Sequence, residues 1–93
     1  MFNYETEKEE IWTMSPFLDV DIHGMTREEA RIAVKSVLET VDSSTYQVRV
    51  IHGFNRGTSL KQMVMSSFKS HPMVKRVMPG DNQGVTILVL REL

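Results

Sequence analysis

Val20-Asp21-Ile22-His23-Gly24-Met25-Thr26-Arg27-Glu28-Glu29 joins a strand, a glycine turn and a helix cap within ten residues. Leu18, Val20 and Ile22 alternate with Asp19, Asp21 and His23, the two-residue period of a strand with one apolar and one polar face. Asp21 and His23 therefore share the polar face. Gly24 allows a backbone conformation that a side chain resists, and Thr26 followed three residues later by Glu29 is a capping box that starts a helix. The polar pair is thus placed at the carboxyl end of a strand, beside a helix N-terminus, where α/β proteins commonly bind ligands.

The helix is predicted over residues 27–41, with Ala30, Ala33, Val34, Val37, Leu38 and Val41 forming one apolar stripe at three and four spacing. Glu28 with Arg31 and Lys35 with Glu39 are pairs for its solvated side. After a loop through Asp42-Ser43-Ser44-Thr45, residues 46–51 read as a second, β-branched strand for the sheet centre. It runs into His52-Gly53-Phe54-Asn55-Arg56-Gly57-Thr58-Ser59, then a second helix striped by Leu60, Met63, Val64, Ser67 and Phe68. Ser59 and Gln62 have capping-box spacing, and Pro72 stops this helix near Ser70 or His71. A third strand is expected over residues 74–78, a hairpin loop over 79–84 and a fourth strand over 85–90. The order βαβαββ is an α/β two-layer sandwich: a mixed four-stranded sheet, its first three strands mainly parallel, with both helices on one face.

The 93 residues suit one domain, which at this size buries a little over roughly 60% of its unfolded surface. Residues 1–16 read as an acidic and aromatic arm, and residues 17–93 as the domain. In the arm, Phe2, Tyr4, Ile11, Trp12 and Met14 need a surface to cover, either the domain's own edge or a second subunit or outside partner, so a homodimer through the arm is one expectation. The net charge of −1 hides an asymmetry: Glu5, Glu7, Glu9 and Glu10 face only Lys8 in the arm. Setting the arm aside leaves ten of eleven Lys and Arg against eight of twelve Asp and Glu, about +2, which permits a polyanion partner without demanding one. No run approaches transmembrane length and the acidic start is unlike a secretory signal, so a cytoplasmic protein without a membrane partner is expected. Without cysteine, any metal must be held by carboxylate, imidazole or carbonyl.

Val20-Asp21-Ile22-His23-Gly24 resembles the Leu-Asp-Leu-His-Gly signature of the small MutS-related (Smr) domain family. Met25-Thr26-Arg27-Glu28-Glu29-Ala30 is similar to that family's helix start, Ile51-His52-Gly53 to the opening of its His-Gly-x-Gly motif, and Gly84-Val85-Thr86-Ile87-Leu88-Val89-Leu90 to its closing strand. The resemblance implies a fold like the C-terminal domain of translation initiation factor three. It also implies an endonuclease that nicks DNA or cleaves RNA, with both motifs at the active or nucleic-acid-binding face. Residue by residue, Asp21, His23 and Gly24 match the first motif, and His52 and Gly53 the second. Asn55 stands where the later glycine is expected and the loop is one residue longer before Leu60, with Gly57 the candidate to restore the turn. Some Smr domains serve mainly as nucleic-acid or ribosome-binding modules, so the non-catalytic alternative of RNA or ribosome binding stays open.

The residues themselves offer compatible chemistry. Gly24, Gly53, Phe54, Asn55 and Gly57 are candidates for a phosphate-binding cradle at the helix N-termini, with Arg56 and Lys61 adding charge and Phe54 able to stack on an unpaired base. The absence of a Gly-Lys-Ser/Thr ending argues against a nucleoside-triphosphate loop. Asp21, His23 and His52 are the catalytic candidates, both histidines facing the scissile phosphodiester. Asp21 either orients His23 or ligates a divalent cation, magnesium or manganese. RNA cleavage through its own 2′-hydroxyl requires no metal, whereas DNA hydrolysis commonly uses one. The structural alternative has Asp21 accepting hydrogen bonds from the Thr26 region and each histidine satisfying loop carbonyls. His71 sits near a helix end with no catalytic part, and Met63, Met65, Met73 and Met78 are packing residues.

Overall fold

The computed structural model describes residues 16–55 and 57–92; the arm apart from Pro16, and Arg56, lie outside the described residues. The elements are β1 (Phe17–Asp21), α1 (Arg27–Thr40), β2 (Gln47–Ile51), α2 (Ser59–Phe68), β3 (Arg76–Pro79) and β4 (Val85–Val89). They form one four-stranded sheet in the order β1-β2-β4-β3. β1 and β2 are parallel, and β4 runs antiparallel to both β2 and β3, so the mixed sheet expected from the βαβαββ order is present. The β3–β4 hairpin folds its second strand inward, which seats β4 between β2 and β3. All five β4 residues are buried as a consequence.

Alternation puts the core on one face. Ile22, Val48, Val50 and Leu88 are fully buried and join Ala30, Val34 and Leu38 of α1 and Met63, Val64 and Phe68 of α2 in a single cluster. These are the stripes the helical spacing predicts; burying a side chain such as Leu38 contributes about 1.5–3 kcal/mol relative to leaving it in water. The opposite parity of β1 and β2 carries Asp19, Asp21 and Arg49, with Arg49 reaching Asp19 at 3.8 Å and Asp81 at 3.7 Å. No helix among the described residues is long and apolar enough to cross a membrane.

The two helix starts differ. α1 has the full capping box: Thr26 Oγ1 accepts from Glu29 N at 3.1 Å, and Glu29 Oε1 accepts from Thr26 N at 3.0 Å. The box expected at Ser59 and Gln62 does not form. Thr58 occupies the cap position without a side-chain cap bond, and the Gln62 amide donates to Thr58 Oγ1 at 3.1 Å. Ser59 is instead the first helical residue, and its carbonyl and hydroxyl accept Arg27 Nη1 at 2.8 and 3.0 Å. That contact ties the first turn of α1 to the first turn of α2.

Candidate functional site

A cleft of about 900 Å³ opens where the carboxyl ends of β1 and β2 meet the starts of the two helices. One wall runs from His23 to Arg27 and the other from Ile51 to Asn55, with Gly57, Ser59 and Leu60 behind. Glycine shapes both rims. Gly24, Gly53 and Gly57 have φ of +81°, +76° and +95°, the left-handed region that favours glycine. Gly57 N–H donates to the Phe54 carbonyl at 3.3 Å, closing a tight turn. No described residue other than glycine has positive φ, so Gly57, not Asn55, supplies the later left-handed position of the second loop.

His23 stands at the cleft, its side chain 70% exposed. Its Nδ1 lies 2.5 Å from Asp21 Oδ1, and the same oxygen accepts the His23 backbone N–H at 3.1 Å. A carboxylate only accepts, so Nδ1 carries the proton, and in the neutral ring Nε2 presents a lone pair. Nε2 has no partner among the described residues. The Asp21 carboxyl is held below its ordinary value of 3.8, first by the hydrogen bond from the His23 ring and then by the His23 backbone N–H. Asp21 thus orients the imidazole, as the first of its two expected roles; Thr26 is engaged with Glu29 instead.

His52 corrects the expectation of two histidines facing a common substrate. Only 5% exposed, its ring has Nδ1 2.7 Å from the Gly53 carbonyl and Nε2 2.8 Å from Thr86 Oγ1. A carbonyl only accepts, so in the neutral ring Nδ1 donates to it and Nε2 accepts the Thr86 hydroxyl. Both nitrogens are engaged inside the protein, and the ring fixes the shape of the second loop.

The other candidates divide. Gly24, Gly53, Phe54, Asn55 and Gly57 line the cleft, and Phe54 is 52% exposed there. Lys61 does not line it: the lysine borders a separate groove of about 200 Å³ with Met65, Val77 and Met78, because it points from α2 toward β3. Arg56 lies outside the described residues. Arg27, absent from the predicted set, is the one arginine or lysine among the described residues lining the cleft. Nothing in its local sequence announces its reach to Ser59, 32 residues away. Thr86 was legible in principle, since one hydroxyl among Val85, Ile87 and Leu88 in a buried strand needs a partner. For a divalent cation the donor set is thin. Asp21 Oδ1 is taken by His23, and no group of three or more His, Asp or Glu gathers among the described residues.

Residues 20–91 match the family model of the Smr domain. The chain belongs to the Smr domain family. Over 80 residues this Smr domain is 36% identical to Endonuclease MutS2 of Caldicellulosiruptor saccharolyticus and 30% identical to Endonuclease MutS2 of Caldicellulosiruptor bescii. Each match covers 81% of this chain and 10% of the relative, so the chain spans about a tenth of the length of these proteins. The crystal structure of the Smr domain of Thermus thermophilus MutS2 superposes with a TM-score of 0.71 at 25% identity, covering 81% of this chain and 99% of that one. The βαβαββ sandwich is therefore the Smr fold, and the cleft lies between the two motifs that carry the family resemblance.

Proposed function

We propose that this Smr domain is a nucleic-acid endonuclease in which His23 moves the proton and Asp21 holds it in place. The observation that carries this reading is the 2.5 Å Asp21–His23 pair, with the imidazole exposed and its second nitrogen unengaged at a cleft mouth. A carboxylate on Nδ1 fixes the tautomer and stabilises the imidazolium formed when Nε2 accepts a proton. His23 Nε2 takes the proton of the attacking hydroxyl as the new oxygen–phosphorus bond forms, and the departing 5′-oxygen is protonated from solvent. Phe54 offers a face on which an unpaired base stacks, and Arg27 a positive charge on the cleft wall for a phosphate. The names of the MutS2 relatives agree with this reaction class.

RNA is the favoured substrate. It supplies its own nucleophile, the 2′-hydroxyl, so one oriented imidazole suffices. Asp21 retains one carboxylate oxygen beside its bond to His23, so magnesium or manganese there would take most of its ligands from substrate phosphates and water. No step here runs through a metal.

The test incubates purified protein with labelled single-stranded RNA, single-stranded DNA and supercoiled plasmid, each with magnesium, manganese or chelator, beside His23→Ala. RNA cleavage that persists in chelator and falls roughly 100-fold or more in the variant is expected, the usual contribution of a general base. Salt-sensitive binding without cleavage of any substrate would assign the domain to the alternative, a module that binds RNA or the ribosome.

A further inference from the structure

The hairpin between β3 and β4 places no residue on the described lining of the cleft, yet it holds one of the cleft's walls. The Gly84 carbonyl accepts two backbone N–H groups from the second loop, His52 at 2.9 Å and Gly53 at 3.0 Å. The Gly84 N–H donates to Asn82 Oδ1 at 2.7 Å, and the Val85 N–H, which shares a peptide plane with the Gly84 carbonyl, donates to the Asn82 carbonyl at 3.3 Å, so Asn82 holds both peptides around Gly84. Two residues on, the Thr86 hydroxyl meets His52 Nε2 at 2.8 Å while the other ring nitrogen donates to the Gly53 carbonyl. The His52–Gly53 turn is thus bonded to the hairpin through its backbone and through its one buried ring.

That turn stands against the reactive histidine. A Cβ built on Gly53 would lie 3.6 Å from His23 Cβ, so about a methyl's width separates the two residues, and the Ile22 N–H donates to the Ile51 carbonyl at 2.9 Å, tying the two strand ends together just before them. His23 is consequently set from two sides: Asp21 fixes its Nδ1, and the Ile22–Ile51 bond ties its backbone to the strand that runs into the turn. Gly84 leaves no slack behind the turn. A Cβ there would meet Gly53 Cα at 3.2 Å and Phe54 Cδ1 and Asn82 Oδ1 at 3.3 Å, tighter than ordinary contact. Gly84 has no left-handed φ, so its requirement is for space rather than for backbone freedom.

We propose that Asn82, Gly84 and Thr86 are positioning residues for the cleavage reaction, setting where His23 stands in the cleft by acting through the His52–Gly53 turn. The inference rests on the reading of His23 as the proton-transfer group. Displacement of the turn by a few tenths of an ångström misaligns the imidazole without removing any group that touches substrate, which lowers the chemical step more than binding.

The experiment records the His23 ring carbon-bound proton signals by nuclear magnetic resonance on the full chain, together with kcat and KM on labelled RNA. Gly84→Ala pushes on the turn, Thr86→Val removes the hydroxyl at nearly constant volume, and Thr86→Ser keeps it. Asn82→Ala changes an exposed residue and leaves the core intact, and Gln83→Ala, its exposed neighbour, is the control. Gly84→Ala, Thr86→Val and Asn82→Ala are expected to shift the His23 signals, with kcat down about tenfold and KM within about twofold. Thr86→Ser and Gln83→Ala should match the parent protein. His23 signals that stay in place in folded Gly84→Ala, Thr86→Val and Asn82→Ala would overturn the proposal, whatever the activity. If the parent protein cleaves nothing, the endonuclease reading fails, and the His23 signals alone still decide whether the hairpin positions that ring.

Discussion

The two strand-His-Gly-helix units of this domain use the same local sequence grammar and reach opposite ends. At the end of β1, His23 is 70% exposed and bonded to one carboxylate. At the end of β2, His52 is 5% exposed and bonded at both nitrogens. The difference lies in strand parity and in neighbours. His23 follows Asp19 and Asp21 on the open face, whereas His52 follows Val48 and Val50 on the face that builds the core. Among the described strands β1 pairs with β2, while β2 has β4 on its far side and therefore Thr86 within reach. A histidine before a glycine at a strand end is thus left open to solvent or pinned inside the protein according to the phase on which it falls.

The largest expected effects come from removing each histidine in turn. His23→Ala should lose cleavage by roughly 100-fold or more with the melting temperature nearly unchanged, because an exposed ring contributes little to packing. His52→Ala should lose about 2–4 kcal/mol, since it opens a cavity and strands the Gly53 carbonyl and the Thr86 hydroxyl. For a domain of this size that lowers the melting temperature by roughly 10 °C or more, read by circular dichroism. Equal melting temperatures for the two variants would break the comparison.

The helix starts sharpen it at smaller scale. Thr26→Ala removes a complete capping box and should cost about 1 kcal/mol in chemical denaturation. Thr58→Ala removes a cap residue that makes no side-chain cap bond, and should cost only a few tenths.

The smallest effect is electrostatic and confined to acid. Asp21 binds its proton more weakly when folded, because the His23 ring and backbone donate to its carboxylate. Its contribution is therefore fully present above the ordinary value of 3.8 and is lost as pH falls through the lower folded value. Denaturation of the parent protein and Asp21→Asn should differ near pH 6 and converge well below about pH 4. A difference that grows toward acid would have the wrong sign for this pair.

Much of the fold was legible because burial follows simple periods. The β1 alternation, the α1 stripe from Ala30 to Val41 and the Thr26–Glu29 box all stand as the sequence predicts, with helix ends within a residue or two. The position of β4 between β2 and β3 was not legible, since strand order depends on which way the hairpin folds rather than on any local pattern. At the site, Asp21, His23 and the glycines fall where their spacing puts them. The fate of His52 was readable from Val48-Arg49-Val50-Ile51-His52, where alternation puts the ring in phase with the two core valines. The likeness of the two motifs obscured that phase. Arg27, Asn82 and Gly84 were beyond local reading, because their roles depend on contacts across the fold.

The most direct test of the central claim, that His23 and not His52 is the reagent, is carbethoxylation of the folded protein followed over time by peptide mass spectrometry and RNA cleavage together. His23, with Nε2 unengaged, should react first and cleavage should decay at the same rate, while His52 stays unmodified until the protein unfolds. Cleavage that survives full modification of His23, or His52 reacting as fast as His23 in the native state, would contradict the account.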